Sequence, residues 1–282
     1  MIRCRSFRAM GTDIALYVDA AMPDVALAAA EAEFHRLESI LSRFRPDSEL
    51  SQLNADGGID AGPDLLRVVA LALDARERTA GRFDPTVLDA LVAAGYDRTF
   101  DQVARDGAKI GAAVPAGGGV RIDGTRISLD RGVHVDLGGI GKGYAAERAA
   151  ELAAIAGPCL VDAGGDIAVR GGAWPVGVET SDGTLTLELC DGALATSGRD
   201  RRRWRRGGEE LHHVIDPRTG RPAASDVLRV TVAAADAVEA EILATSLFLA
   251  GTERAAAEAS AAGVAAVIVS DDGRTILAGR LA

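Results

Sequence analysis

The chain has 282 residues, room for one large domain or two modest ones; 48% are hydrophobic and 4% aromatic, so a core must rest on Ala, Val, Leu and Ile. A formal net charge of -10 excludes the bulk basicity of a nucleic-acid or anionic-membrane binder, so any anionic ligand must be met by local positive charge. Three cysteines, Cys4, Cys159 and Cys190, match no zinc or disulfide spacing and fit a reducing compartment. Cys159 and Cys190 lie in apolar stretches and are expected to be buried and inert. With no apolar leader, no lipobox at Cys4 and no run of 18 apolar residues, the chain reads as soluble, without a membrane span, and cytoplasmic. Removal of a leader would make it extracytoplasmic.

Residues 12–19 alternate like a half-buried strand. Pro23 and Asp24 then open a helix that ends before Pro46, with Val25, Ala28, Phe34, Leu37, Ile40, Leu41 and Phe44 at helical spacing. A second helix is expected over 63–79, with Leu66, Val69 and Leu73 inward, and a short third over 86–94. Residues 111–119 read as a loop; strands follow at 120–123, 126–130 and 133–137, then an Ala-rich helix over 141–156. Residues 159–169 return to strand, broken at Gly164-Gly165, and further strands are expected at 176–179, 185–190, 213–215 and 227–234. Two helices over 237–262 precede a closing hairpin, 264–269 with 275–277. Strands in hairpin-connected groups and helices in separate groups favour α+β, with antiparallel sheets packed against helices, over a regular βαβ wind. The chain is expected to form a single domain with room for a smaller subdomain around 46–120.

Five segments could carry chemistry. The first is DLGGIGKGY at 136–144, which is neither a Walker nor a Rossmann fingerprint. Glycines, a lysine and a helix start still make an anion site, and Lys142 is one of two lysines among 31 basic residues, so its retention runs against the chain's habit. On the helix from 237, Asp236 and Glu239 form a capping box, while Glu241 and Thr245 share one face as hard oxygen donors suited to Mg²⁺; capping and backbone bonding are the alternative reading. In HHVIDPRTG at 212–220, Asp216-Pro217 starts a turn and His213 precedes it, either as a structural residue or as a base. In LVDAGGDIAVRG at 160–171, two carboxylates flank a double glycine, as in a bulge or a close approach of ligand to backbone. Residues 199–206, RDRRRWRR, form either a charge-guarded edge strand or a dock for an acidic protein or phosphate.

In this order the motifs resemble the FAD:protein FMN transferase (ApbE) family, from Met10-Gly11-Thr12 through SRFRPDSELSQLN at 42–54, GRFDPT at 81–86, the 136–144 segment, DAGGDI at 162–167, ATSGR at 195–199, HVIDPRTG at 213–220 and the Glu241–Thr245 helix. The resemblance implies an α+β, T-fold-like architecture with FAD in a cleft. It implies Mg²⁺-dependent cleavage of FAD, release of AMP, and attachment of FMN to a Thr or Ser hydroxyl of a target flavoprotein. Met10, Phe44, Arg82, Phe83 and Asp84 match positions that line the nucleotide; Asp136, Lys142 and Ile215 match FAD contacts. The Gly139 carbonyl, Glu241 and Thr245 match metal donors, although the family usually has Asp at position 241 and often Tyr at 44. His213 is the first candidate base and Asp216 the second, with Lys142 stabilising the departing charge. Two rival readings are an FAD pyrophosphatase that uses water and a flavin-storage protein without turnover.

Overall fold

A two-residue turn, Met10-Gly11, with φ of 51° and 69°, joins β1 (Ile2–Ala9) to β2 (Thr12–Asp19) in an antiparallel hairpin. Positive φ at both turn residues matches the right-handed twist of the strands. β1 was not expected, because its Arg-rich sequence lacks apolar alternation; it is an edge strand, and Arg3, Arg5 and Arg8 guard that edge. This computed structural model describes residues 1–103 and 109–282.

In chain order there follow α1 (Asp24–Leu41), α2 (Glu49–Asp56), β3 (Gly58–Asp60), α3 (Pro63–Arg78), α4 (Leu88–Ala93), β4 (Val120–Asp123), β5 (Arg126–Leu129), α5 (Gly141–Ala153), β6 (Cys159–Ala163) and β7 (Ile167–Arg170). Next come β8 (Trp174–Thr180), β9 (Gly183–Leu189), β10 (Gly192–Gly198), β11 (Arg203–Arg206), β12 (Glu209–His212), β13 (Ile215–Asp216) and β14 (Arg221–Pro222). β15 (Val227–Ala234), α6 (Ala237–Ala250), α7 (Thr252–Ala262), β16 (Ala265–Ser270) and β17 (Thr275–Ala278) close the chain. The chain divides into two compact units: one of Met1–Glu38, Ile140–Gly198 and Ser225–Ala282, the other of Ser39–Gly139 and Arg199–Ala224.

The first unit is built on an eight-stranded sheet of order β1-β2-β6-β7-β10-β15-β16-β17, every neighbouring pair antiparallel. Period-2 alternation divides its two faces. Cys159, Val161, Ala163, Ala168, Ala193 and Ala195 form the face toward α5 and α6, where the Cys159 thiol reaches the Ala150 carbonyl on α5. Small residues there let the helices approach closely. Leu160, Ile167, Val169, Leu194 and Val267 pack instead with Trp174, Val176 and Val178 of the β8–β9 hairpin. α6 is apolar on nearly every side, as a helix packed against β10, β15, α5 and α7 requires. The antiparallel sheet packed against helices is the α+β architecture expected.

The second unit carries the three-stranded sheet β3-β5-β4, the hairpins β11–β12 and β13–β14, and helices α2 to α4. Its aromatic core joins Tyr96 and Trp204 to Leu91, Leu211 and Ile215, with Phe44 and Phe100 packed against them.

The structure corrects several expectations. The first helix stops at Leu41; Ser48 then caps a separate α2 by accepting from the Ser51 amide at 3.0 Å. Val25 is 83% exposed, whereas Phe34 and Leu37 are fully buried. α3 buries Leu65, Val68, Val69, Ala72 and Ala75, leaving Leu66 and Leu73 half-buried at the flanks of that face. No strand forms over 133–137. The Asn54 side chain supplies the pairing instead, donating to the Val135 carbonyl (2.9 Å) and accepting from its amide (2.7 Å). The strand expected at 213–215 forms as the two-residue β13. Cys159 is buried, which pushes its thiol up to about 11, but Cys190 is exposed where its strand ends. Among the described residues no helix is long and apolar enough to cross a membrane.

Candidate functional site

In the second unit, the loop from Arg131 to Gly139 is fixed from three sides. Asn54 holds Val135, the Asp136 amide donates to the Pro85 carbonyl at 2.8 Å, and Arg43 Nε lies 2.6 Å from Asp136 Oδ2. The other Asp136 oxygen accepts from the Gly138 amide at 2.9 Å. Both oxygens are thus committed to the loop, and the Arg43–Asp136 pair is about nine-tenths buried. Arg43 also donates to the Tyr96 carbonyl and lies 4.2 Å from the Phe44 ring centroid and 4.7 Å from that of Tyr96. A guanidinium over two ring faces is a favourable cation–π arrangement, and it fixes Phe44. Arg43 was missed by the sequence reading, although it lies inside the 42–54 segment.

The 81–86 segment behaves likewise. Asp84 accepts from the Thr86 amide (2.8 Å) and hydroxyl (2.6 Å), and Arg76 Nε lies 3.0 Å from its second oxygen. Phe83 is buried beneath Gly139, where an added Cβ would lie 3.2 Å from its ring; Arg82 is half-buried. Ala80 just upstream has φ of 50°, and Met10 in the first unit has φ of 51°. These non-glycine residues at positive φ lie at or beside positions expected to line the nucleotide, where strain of this kind often accompanies function. Met10 is held by its amide donating to Glu38 Oε1 at 2.6 Å.

Two adjacent histidines now separate. His212 is buried, with Nδ1 3.3 Å from the Val214 amide and Nε2 3.0 Å from the Ala223 carbonyl. That pattern sets the neutral tautomer protonated on Nε2, and burial lowers its pKa. His213, the next residue, is half-buried. Burial acts to raise the pKa of Asp216, but hydrogen bonds from Arg218 outweigh it and hold the carboxyl below its ordinary range. Such a carboxylate is a poor proton acceptor. Asp216 also shapes the turn, its carbonyl accepting from the Gly220 amide. Ile215 is buried in the aromatic core that Phe44 packs against.

In the first unit, Lys142 is the second residue of α5, and its ammonium bridges two buried carboxylates: Glu241 from α6, at 2.5 Å, and Asp166 from the β6–β7 turn. Glu241 is 4% exposed and Asp166 2%. The second Glu241 oxygen accepts from the Gly143 amide in the first turn of α5 at 2.9 Å. A side chain could not replace Gly143, because its Cβ would stand 2.5 Å from the Ala237 carbonyl oxygen. The Glu241 carboxylate thus spans from α6 to the N-terminus of α5, where the helix dipole favours an anion. One helical turn along, Thr245 Oγ1 lies 3.1 Å from Ser197 Oγ at the end of β10. Asp236 caps α6 by accepting from the Glu239 amide at 2.8 Å.

One ammonium between two acids leaves a surplus negative charge in a dry site. Burial, then the charge of Asp166, pushes Glu241 up to about 7 against the pull of Lys142. Hard oxygens and surplus negative charge suit a divalent cation. Among the described residues no group of three or more His, Cys, Asp or Glu could hold a metal ion. Asp166 was visible in the sequence as one of two acids flanking Gly164-Gly165, but nothing local assigned it to Lys142.

A family model described as the ApbE family matches residues 10–268. The chain belongs to the ApbE family. The FAD:protein FMN transferase of Treponema pallidum is 32% identical, the match covering 78% of this chain and 70% of that protein. That of Vibrio cholerae is 32% identical over 83% of this chain and 76% of its own length. Among solved structures, the ApbE protein of Thermotoga maritima superposes with a TM-score of 0.89 at 26% identity, covering 99% of this chain and 98% of that one. The flavin transferase ApbE of Vibrio cholerae gives 0.81 at 26% identity, covering 100% and 98%.

Proposed function

We propose that this chain is an FAD:protein FMN transferase: it cleaves FAD, releases AMP and joins FMN to a Thr or Ser hydroxyl of a target flavoprotein. The observation that carries the reading is the half-buried Lys142, shared by the buried Glu241 and Asp166 at the start of a helix. Family membership and the similarity to named transferases support it.

Each residue set takes a separate role. Phe44 and Ile215, on the aromatic core, and Met10, Arg82 and Phe83 are assigned to the nucleotide. Asp84 and Asp136 shape the loops that present those groups. Lys142 neutralises charge on the pyrophosphate and on the leaving AMP. Glu241 and Thr245 are the side chains that would hold Mg²⁺, with the Gly139 carbonyl assigned by resemblance; when bound, the ion polarises the phosphoryl oxygens. His213 accepts the proton of the acceptor hydroxyl as its oxygen bonds to the FMN phosphorus. The bond from that phosphorus to the bridging oxygen breaks, and AMP leaves with that oxygen.

The test is incubation with FAD, Mg²⁺ and a flavoprotein domain, following AMP by chromatography and covalent flavin by in-gel fluorescence. Both products are expected. AMP without covalent flavin would make the chain a pyrophosphatase, and FAD binding without AMP a storage protein. His213→Ala should slow transfer by about 10²-fold or more with FAD binding intact, while His212→Ala should act on stability. Unchanged transfer by His213→Ala removes it as the base.

A further inference from the structure

Asp166 is among the most buried acids of the chain, yet the proposed reaction gives it no step. Its place is rigid. The Asp166 carbonyl accepts from the Ala163 amide at 2.8 Å, and the Gly165 amide donates to Asp162 at 2.8 Å, closing a turn whose two glycines have φ of 69° and 101°. From that turn its carboxylate meets the Lys142 ammonium.

The two acids on Lys142 are not equivalent. Glu241 has a second hard oxygen, the Thr245 hydroxyl, one turn away on its own helix, so it is the acid we take to meet a cation. Asp166 is buried against the lysine on the other side. A divalent cation at Glu241 repels the ammonium beside it, and a flexible lysine, already 16% exposed, would withdraw to water.

We propose that Asp166 is a positioning residue: it keeps the Lys142 ammonium in the site when a divalent cation takes up Glu241, so that both positive charges meet one pyrophosphate. The inference deepens the transferase reading and rests on it for the pyrophosphate. Three positive charges against two carboxylates then leave the site with a net positive charge toward a dianionic pyrophosphate. With Asp166 neutral and the lysine gone, the ion faces it alone.

The sequence supplies the probe. Lys109 and Lys142 are the only lysines, and Lys109 is exposed, so protein grown on lysine labelled at Cε and Nζ gives two side-chain NMR signals, assigned by Lys142→Arg. Under titration with Mg²⁺ alone, the wild-type Lys142 signal should shift yet stay apart from that of a solvated lysine. In Asp166→Asn the same titration should carry it to the solvated position, and Asp166→Glu should restore the wild-type response. Asp166→Asn leaves Lys142 and Glu241 as a balanced pair, so the fold is expected to survive. In turnover, Asp166→Asn should lower kcat for AMP release by about tenfold or more, with KM for FAD within about threefold, and should cost nothing further in a Lys142→Met background. The idea is overturned if Mg²⁺ leaves the wild-type signal unmoved, if it releases Lys142 from wild type, if Lys142 stays ordered in Asp166→Asn, or if the two substitutions are additive. Absence of AMP from the wild type would refute the transferase reading, while the NMR titration would still decide the role of Asp166.

Discussion

The acids of the two units are neutralised in two ways, with Glu33 of the first unit, held by Arg36, following the pattern of the second. In the second, Asp84, Asp136 and Asp216 are each matched by an arginine (Arg76, Arg43 and Arg218) and by backbone amides of their own loops. In the first, Asp166 and Glu241 share one lysine and remain under-neutralised. A planar guanidinium fixes a carboxylate in one geometry, whereas an ammonium on a flexible stem can exchange partners. Arginine supplies nearly all of the chain's cations, and Lys142 is one of its two lysines. Saturated acids hold loops in place, and the unsaturated pair is the place where we propose that a cation binds.

Three experiments try to break that contrast, from the largest effect to the smallest. Lys142→Met strands two buried acids, so urea unfolding at pH 8 should show a loss of about 3–5 kcal/mol, and the loss should shrink at pH 5 as Glu241 takes up a proton. A loss equal at both pH values would mean the pair is not the burden described.

Next, Glu241 titrates at about 7 in the folded chain against an ordinary value of 4.5. Between those values the folded state keeps a proton that the unfolded state has released. Stability without metal should therefore fall as pH rises from about 4.5 to 7, by up to about 3 kcal/mol from this group. Glu241→Gln should flatten that slope. An unaltered slope would place the titration elsewhere.

Smallest is Asn54→Ala, which removes two hydrogen bonds from the 131–139 loop and should cost about 1–2 kcal/mol by thermal unfolding. It should raise KM for FAD more than it lowers kcat. A fall in kcat alone would mean that the loop does more than present the nucleotide.

Much of this was legible in the sequence, and what was hidden has physical causes. Periodicity found most sheet strands of the first unit and both helices after Asp236, because burial on one face leaves a regular trace, but not β10, whose Gly192–Gly198 run of small residues lacks apolar alternation. It missed β1, an edge strand whose Arg-rich pattern answers to water rather than to a core. It placed a strand at 133–137, since an amide side chain from Asn54, 81 residues away in sequence, imitates a strand partner without leaving a periodic signal. At the site, the scarcity of lysine marked Lys142, and the i,i+4 spacing marked Glu241 with Thr245. The partnership of Lys142 with Asp166 and Glu241 was invisible because those residues meet only through tertiary packing. The commitment of the His212 ring was also hidden, because its hydrogen bonds to Ala223 and Val214 leave no trace in the sequence.

The most direct test of the contrast is AMP release from saturating FAD with Mg²⁺, compared between Glu241→Gln and Asp84→Asn. Glu241→Gln should lose about 10²-fold or more in kcat, whereas Asp84→Asn, which touches a loop-holding acid, should change kcat by less than about threefold. Near-normal AMP release by Glu241→Gln, or an equal collapse in both variants, would contradict the account.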